Sequence, residues 1–336
     1  MAELVFVGCY TGDAGNGTGI TTFSRSATGD LTEVASLPME SPSWLAKHPS
    51  LPVLYAANET ATGGVTALAL SDAGALSVLG TAETGGAHPC HLAVTPDGRF
   101  LLCANYTGGS LAVFSLSASG AVQSRTALVQ HTGSGPDPER QEAAHVHMAV
   151  PSADGSVVSA VDLGTDEIRS YTLSSDGSLE LLAVSQLPPG TGPRQLVRRP
   201  GTDLAYVVGE LAGTVVTVRE TSPGAFEVVS ITESTLGGAH GYGPNLVAHL
   251  ELTDSNLYVS NRGPDCMSEF TLDDLTALAD QPCGANPRHF ALLGGTCYVA
   301  AQSDDAVTAF TLPVTSSDLR RYPTGSPTFV LPVSLP

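Results

Sequence analysis

The stretch FLLCANYTGGSLAVFSLSASG (100–120) reads as two short apolar strands. FLLCANY (100–106) and SLAVFSL (110–116) are joined by a tight Gly-rich turn, and SASG (117–120) turns the chain again. Such a pair is an antiparallel hairpin. The same sentence recurs along the chain as LVFVGCY (4–10) with GITTFSR (19–25), VLYAANE (53–59) with GVTALAL (64–70), and VVSAVDL (157–163) with EIRSYTL (167–173). It continues as LAYVVGE (204–210) with TVVTVRE (214–220), LYVSNRG (257–263) with MSEFTL (267–272), and CYVAAQS (297–303) with AVTAFTL (306–312). Seven copies at a mean spacing of about 49 residues account for almost the whole chain.

Each copy is flanked by two further strands. A short apolar run precedes the hairpin, as in CHLAV (90–94), HMAV (147–150) and HFALL (289–293), and a weaker one follows, as in LTEVASL (31–37) and LELLAVS (179–185). Several of the GITTFSR-type strands suggest period-two alternation, with Val, Phe, Tyr and Leu on one face. The connections are too short for the crossovers that parallel strands need. The expected fold is therefore all-β: a seven-bladed β-propeller of four-stranded antiparallel blades, one domain over residues 1–336. An open stack of the same units would leave both end sheets as bare edges. The tail SPTFVLPVSL (326–335) resembles the innermost-strand segments, and the first copy has no strand before it. The tail is expected to fill that vacant position and close the ring.

Composition narrows the function. Of 336 residues 42% are hydrophobic, which argues against disorder. Charged residues make up 14%, against about 25% in an ordinary domain. The net charge of −19 disfavours nucleic acid and anionic membranes as partners. No apolar run approaches the ~18 residues of a membrane span. The six cysteines fall at irregular spacings, and the opening MAELVFVGCY lacks a basic leader segment. Reduced thiols and a cytoplasmic location are expected. A closed ring has no free sheet edge, so a monomer is expected.

In a propeller, the segments entering the innermost strands converge on one mouth of the central channel. Here they read SPSW (41–44), HPCH (88–91), AHVH (144–147), GPRQ (192–195) and NPRH (286–289), and they hold most of the histidines of a chain poor in basic residues. His147 is a candidate general acid or base at neutral pH. His145 is two residues before it and expected on the same side. Arg194 and Arg262 offer guanidinium forks for a carboxylate or phosphate. Glu210 is placed to orient an arginine or handle a proton, while Glu59 reads as a bracing acid. His91, Gln195, Arg288 and His289 are further candidate substrate contacts. The long segment HTGSGPDPERQEAAHVH (131–147) suits a loop over the mouth and adds Arg140 and Gln141. No metal motif is present, and neither a metal nor a cofactor is expected.

VGCYT (7–11), AANE (56–59), HPCHLAV (88–94), HTGSGPDPERQ (131–141), HVHMAV (145–150), GPRQ (192–195), GELAGTVV (209–216), YVSNRG (258–263) and NPRHF (286–290) together resemble the propeller-type 6-phosphogluconolactonase family. That family also includes carboxymuconate-lactonizing enzymes. The resemblance implies cofactor-independent hydrolysis of a small anionic lactone, 6-phosphogluconolactone, with His147, Arg194, Glu210 and Arg262 in the catalytic cleft. Muconate lactonization and a non-catalytic binding propeller are the alternatives. Gln195 stands where the family usually has a histidine, and Val247 where it usually has an acid, while His249 is retained.

Overall fold

The computed structural model describes residues 3–236, 244–313 and 318–335. Among them seven four-stranded antiparallel sheets, each a blade, stand around a common axis. The tail behaves as expected: Pro327–Ser334 pairs with Glu3–Cys9 and becomes the innermost strand of the first blade. The other innermost strands are Pro42–Lys47, Pro89–Val94, Val146–Pro151, Pro193–Arg198, Leu246–Leu252 and Pro287–Leu293. All six cysteines are unpaired and buried.

The expected alternation of the GITTFSR-type strands gives way to burial on both faces. Thr22, Thr66, Ser170, Ser268 and Thr308 are as buried as their apolar neighbours. Each blade is sandwiched between two others, so seven apolar clusters fill the gaps between sheets. One such cluster takes Val247, packed with Leu250 and Val259. Phe290 lies fully buried in another.

One register irregularity recurs in every blade. Pro42 pairs with Asn58 and Trp44 with Ala57, so Ser43 bulges from the ladder. The equivalent bulged residues are Cys90, His147 and Arg194 in the next three blades, then Ala248, Arg288 and Thr328. A bulge re-aims its side chain, and here seven of them ring the channel at one level. In six blades the same backbone bond anchors the turn above. The N–H at the end of the second strand (Tyr10, Glu59, Tyr106, Leu163, Glu210, Gln302) donates to the carbonyl just before the innermost strand, at 2.9–3.2 Å. Ser41, His88, Asn286 and Ser326 adopt left-handed backbone there, with φ of 37–53°.

One residue deeper, a second layer closes the channel. Trp44 packs on Phe329 (ring centroids 4.3 Å apart), His91 (4.4 Å) and His289 (5.4 Å), and His249 lies 3.8 Å from His289. Polar atoms of this plug cap the bare inner edge of the next blade. Trp44 Nε1 donates to the Leu92 carbonyl (3.1 Å), while His91 Nδ1 accepts from Ala149 N and His289 Nδ1 from Val330 N (3.4 Å each). The Gln195 amide takes both the carbonyl (3.1 Å) and the N–H (2.7 Å) of Leu250.

Removing residues 326–335 should abolish cooperative unfolding, because the Glu3–Cys9 edge then loses its partner. In the full chain, Phe329→Ala should lower unfolding stability by about 3–5 kcal/mol in a denaturant titration.

Candidate active site

Above the plug, the bulge ring and the ends of the second strands form the walls of the channel mouth. Glu210 is their hub. Its carboxylate is buried, yet three arginines meet it. Arg140 Nη2 lies 2.7 Å from Oε1; Arg194 Nη1 (2.9 Å) and Arg262 Nη2 (2.7 Å) share Oε2. Despite burial, Arg262, Arg194, His147 and Arg140 hold the Glu210 carboxyl well below the usual carboxylate range. Arg194 is braced by donating from Nε to the Ala248 carbonyl (2.7 Å), and Arg262 by donating from Nε to that of Leu246 (3.0 Å). Arg262 Nη2 is within ion-pair range but makes no well-directed hydrogen bond, which leaves a buried donor unspent. Burial, opposed by Glu210, lowers the Arg262 guanidinium to about 9, still charged at neutral pH.

His147 touches this hub differently from what the sequence suggests. Its Nε2 is 2.6 Å from Arg194 Nη1, which has only protons to offer, so Nε2 accepts. Nδ1 faces the Cys90 thiol at 3.7 Å, and that thiol donates to the His147 carbonyl (3.3 Å). Burial first, then Arg194, press the His147 imidazole well below its ordinary pKa. It is a neutral brace for Arg194 with its lone pair occupied, and in this arrangement it is not a free base.

The remaining candidates divide by position. Arg140 reaches inward from the long loop and also donates to the Tyr106 hydroxyl (3.2 Å). Gln141 is fully buried; its amide holds the Leu163 carbonyl and the Asp137 N–H, so it fastens the loop and does not face the mouth. His145 stacks on Tyr106 (4.6 Å), and His147 meets the same ring edge-on (5.4 Å). The His145 nitrogens face two acceptors, the Tyr106 carbonyl (3.1 Å) and Glu142 Oε1 (3.2 Å). His91, Gln195 and His289 lie in the plug, where their polar atoms cap backbone. A cavity of about 10 Å³, lined by His91, His147, Arg194 and His249 among others, separates the layers. It has room for about one water.

Arg288 stands on the bulge ring two blades on from Glu210. Its Nη2 donates to the Tyr10 hydroxyl (2.9 Å), which in turn donates to Glu59 Oε1 (2.9 Å), and its guanidinium lies 5.1 Å from the Tyr10 ring centre. Tyr10, Tyr106 and Cys90 are wall residues that sequence reasoning missed. The signal was present, since Tyr10, Glu59, Tyr106, Glu210 and Arg262 all directly follow the register point of their blades. A buried relay, Tyr171 to His131 (2.8 Å) to Asp162 (2.7 Å), also went unread; it ties the loop's start to the fourth blade. Among the described residues, no three His, Cys, Asp or Glu side chains group as a metal would require.

Residues 4–332 match the sequence profile described as lactonase, 7-bladed beta-propeller. The chain belongs to the lactonase family. A Bacillus subtilis 6-phosphogluconolactonase is 30% identical over 80% of this chain and 77% of its own. A 6-phosphogluconolactonase from Formosa agariphila is 28% identical over 95% of both. The periplasmic gluconolactonase of Pseudomonas aeruginosa superposes over all of both chains with a TM-score of 0.91 at 26% identity.

The buried, neutral histidines should make the fold of this lactonase acid-sensitive. Burial holds His91 at about 3 and lowers His147, His249 and His289 as well. A histidine whose folded pKa lies below its unfolded value of about 6.5 takes up its proton on unfolding. Its stabilisation is therefore complete above pH 6.5 and is lost as pH falls. For His91 alone the loss between pH 7 and 5 is about 2 kcal/mol. Thermal unfolding followed from pH 7 to 5 should show a steep fall in melting temperature, and His91→Gln should flatten it.

Proposed function

We infer that this lactonase hydrolyses the lactone ring of a phosphorylated sugar acid, 6-phosphogluconolactone. The observation that carries the reading is the convergence of three arginines on buried Glu210, with Arg288 on the same ring. Four guanidinium groups against the carboxylates of Glu59 and Glu210 leave the mouth positive in a chain of net charge −19. Such a pocket suits a small dianion. The relatives named 6-phosphogluconolactonase support the phosphorylated substrate; the Pseudomonas aeruginosa gluconolactonase supports the lactone without the phosphate. The unpaired thiols fit a reducing compartment, the cytoplasm.

In the reaction, water attacks the ring carbonyl and negative charge grows on its oxygen. The unspent Nη2 donor of Arg262 is suited to meet that charge, and Arg194 lies beside it. Arg140, on the loop, is placed for the phosphate. Glu210 and His147 keep the guanidinium groups oriented before substrate arrives, so little reorganisation accompanies the chemistry.

A dicarboxylate bridging Arg288 and the Glu210 cluster would suit muconate lactonization, which adds no water. Turnover in ¹⁸O-water separates the two: hydrolysis places one label in the product carboxylate, and lactonization places none. Arg262→Ala should lower kcat/KM roughly 10²–10³-fold with the far-UV circular dichroism unchanged. Arg140→Ala should raise KM for 6-phosphogluconolactone while leaving that for the unphosphorylated lactone within about threefold. Equal effects on both lactones would remove the phosphate from the assignment.

A further inference from the structure

Hydrolysis needs a group that takes a proton from water, and the mouth offers few. Both Glu210 oxygens are held by arginines. His147 Nε2 accepts from Arg194, and the His145 nitrogens are turned onto the Tyr106 carbonyl and the Glu142 carboxylate. His88, half-buried at the rim, is turned onto Thr107 (3.0 Å).

Glu59 remains. It follows Asn58 at the register point of the second blade, as Glu210 follows Gly209 in the fifth. The two carboxylates thus occupy equivalent ring positions, as far apart around seven blades as the symmetry allows. Their surroundings are opposite. Glu210 is buried among three arginines; Glu59 is half-buried, and among the described residues it takes part in no ion pair. Its Oε1 accepts from the Tyr10 hydroxyl, and Oε2 has no hydrogen-bond partner among the described residues. Two equivalent carboxylates in divergent surroundings mark a division of labour between electrostatic anchor and proton carrier.

Three groups face Glu59. The Tyr10 phenol fixes its rotamer, Arg288 backs that phenol, and the Cys90 thiol lies near enough that the Glu59 charge, after burial, helps push it up. Cys90 also touches His147, which contacts Arg194, so the Cys90 thiol lies within reach of both the Glu59 and the Arg194 charges.

We propose that Glu59 is the general base of this site, its free Oε2 taking the proton of the attacking water and Tyr10 holding it in place. The assignment rests on the lactone-hydrolysis reading. As the water oxygen bonds to the carbonyl carbon, its proton passes to Oε2 and the carbonyl electron pair moves onto oxygen, toward Arg262 and Arg194. Collapse reforms the carbonyl and breaks the bond to the ring oxygen, which leaves with the proton returned from Glu59. Lactone and water become the hydroxy acid, and Glu59 ends as it began.

The test compares wild type, Glu59→Gln and Tyr10→Phe on 6-phosphogluconolactone at neutral pH, with 6-phosphogluconate binding followed by calorimetry. Glu59→Gln keeps an acceptor for Tyr10 and cannot take a proton. Its kcat should fall 10²–10⁴-fold, with KM and the product Kd within threefold of wild type. Tyr10→Phe removes the bond that holds the Glu59 carboxylate in position, so it should lose less than tenfold in kcat with the product Kd unchanged. Glu59→Gln turning over within threefold of wild type overturns the assignment. So does loss of product binding in that variant, which would make Glu59 a structural acid. A wild-type protein that opens no lactone overturns the hydrolytic reading itself, and Glu59 with it.

Discussion

Seven sheets that meet around an axis each turn one raw strand edge toward it, and those unpaired backbone groups must be satisfied. Here side chains do it, each reaching from one blade to the next. Thr328 donates to the Ser43 carbonyl, Trp44 to Leu92, Cys90 to His147 and Arg194 to Ala248, while Gln195 grips Leu250 at both ends. The arrangement explains why so many buried histidines are present and why they are neutral. An imidazole nitrogen that accepts a backbone N–H cannot also carry a proton there.

The same ring fixes the electrostatics of the mouth. Burying Glu210 would be costly for a lone carboxylate; three arginines compensate and are themselves locked by it. Arg194 belongs to both systems, since its Nε closes a blade interface while Nη1 meets Glu210 and His147. The framework and the binding cluster thus share an atom-level joint, and the arginines are positioned by the same bonds that hold the blades together.

The fold was legible because it is said seven times: each hairpin repeats, and the unused tail matched the vacant slot. The site was legible where residue type decided it, so Arg194, Arg262, Glu210 and His147 do converge. It was not legible where one residue of register decided it. HPCH and AHVH look equivalent, each ending in histidine, yet Cys90 and not His91 shares the bulge position of His147. Blade four starts its innermost strand at Val146 where most blades have proline, so nothing in the letters marks the offset. His91 thereby falls into the plug and His147 into the mouth. Gln141 was misread for a different reason: a loop gives no periodicity, and its inward turn depends on Asp137 and Leu163.

The stacked rings of Trp44, His249, His289 and Phe329 make the axis a blind shaft and not a tunnel. Whatever is drawn in by the arginines meets that floor, and the opened, more highly charged acid must leave against the same attraction. Departure, and not only ring opening, is then a place where the pace of the cycle can be set.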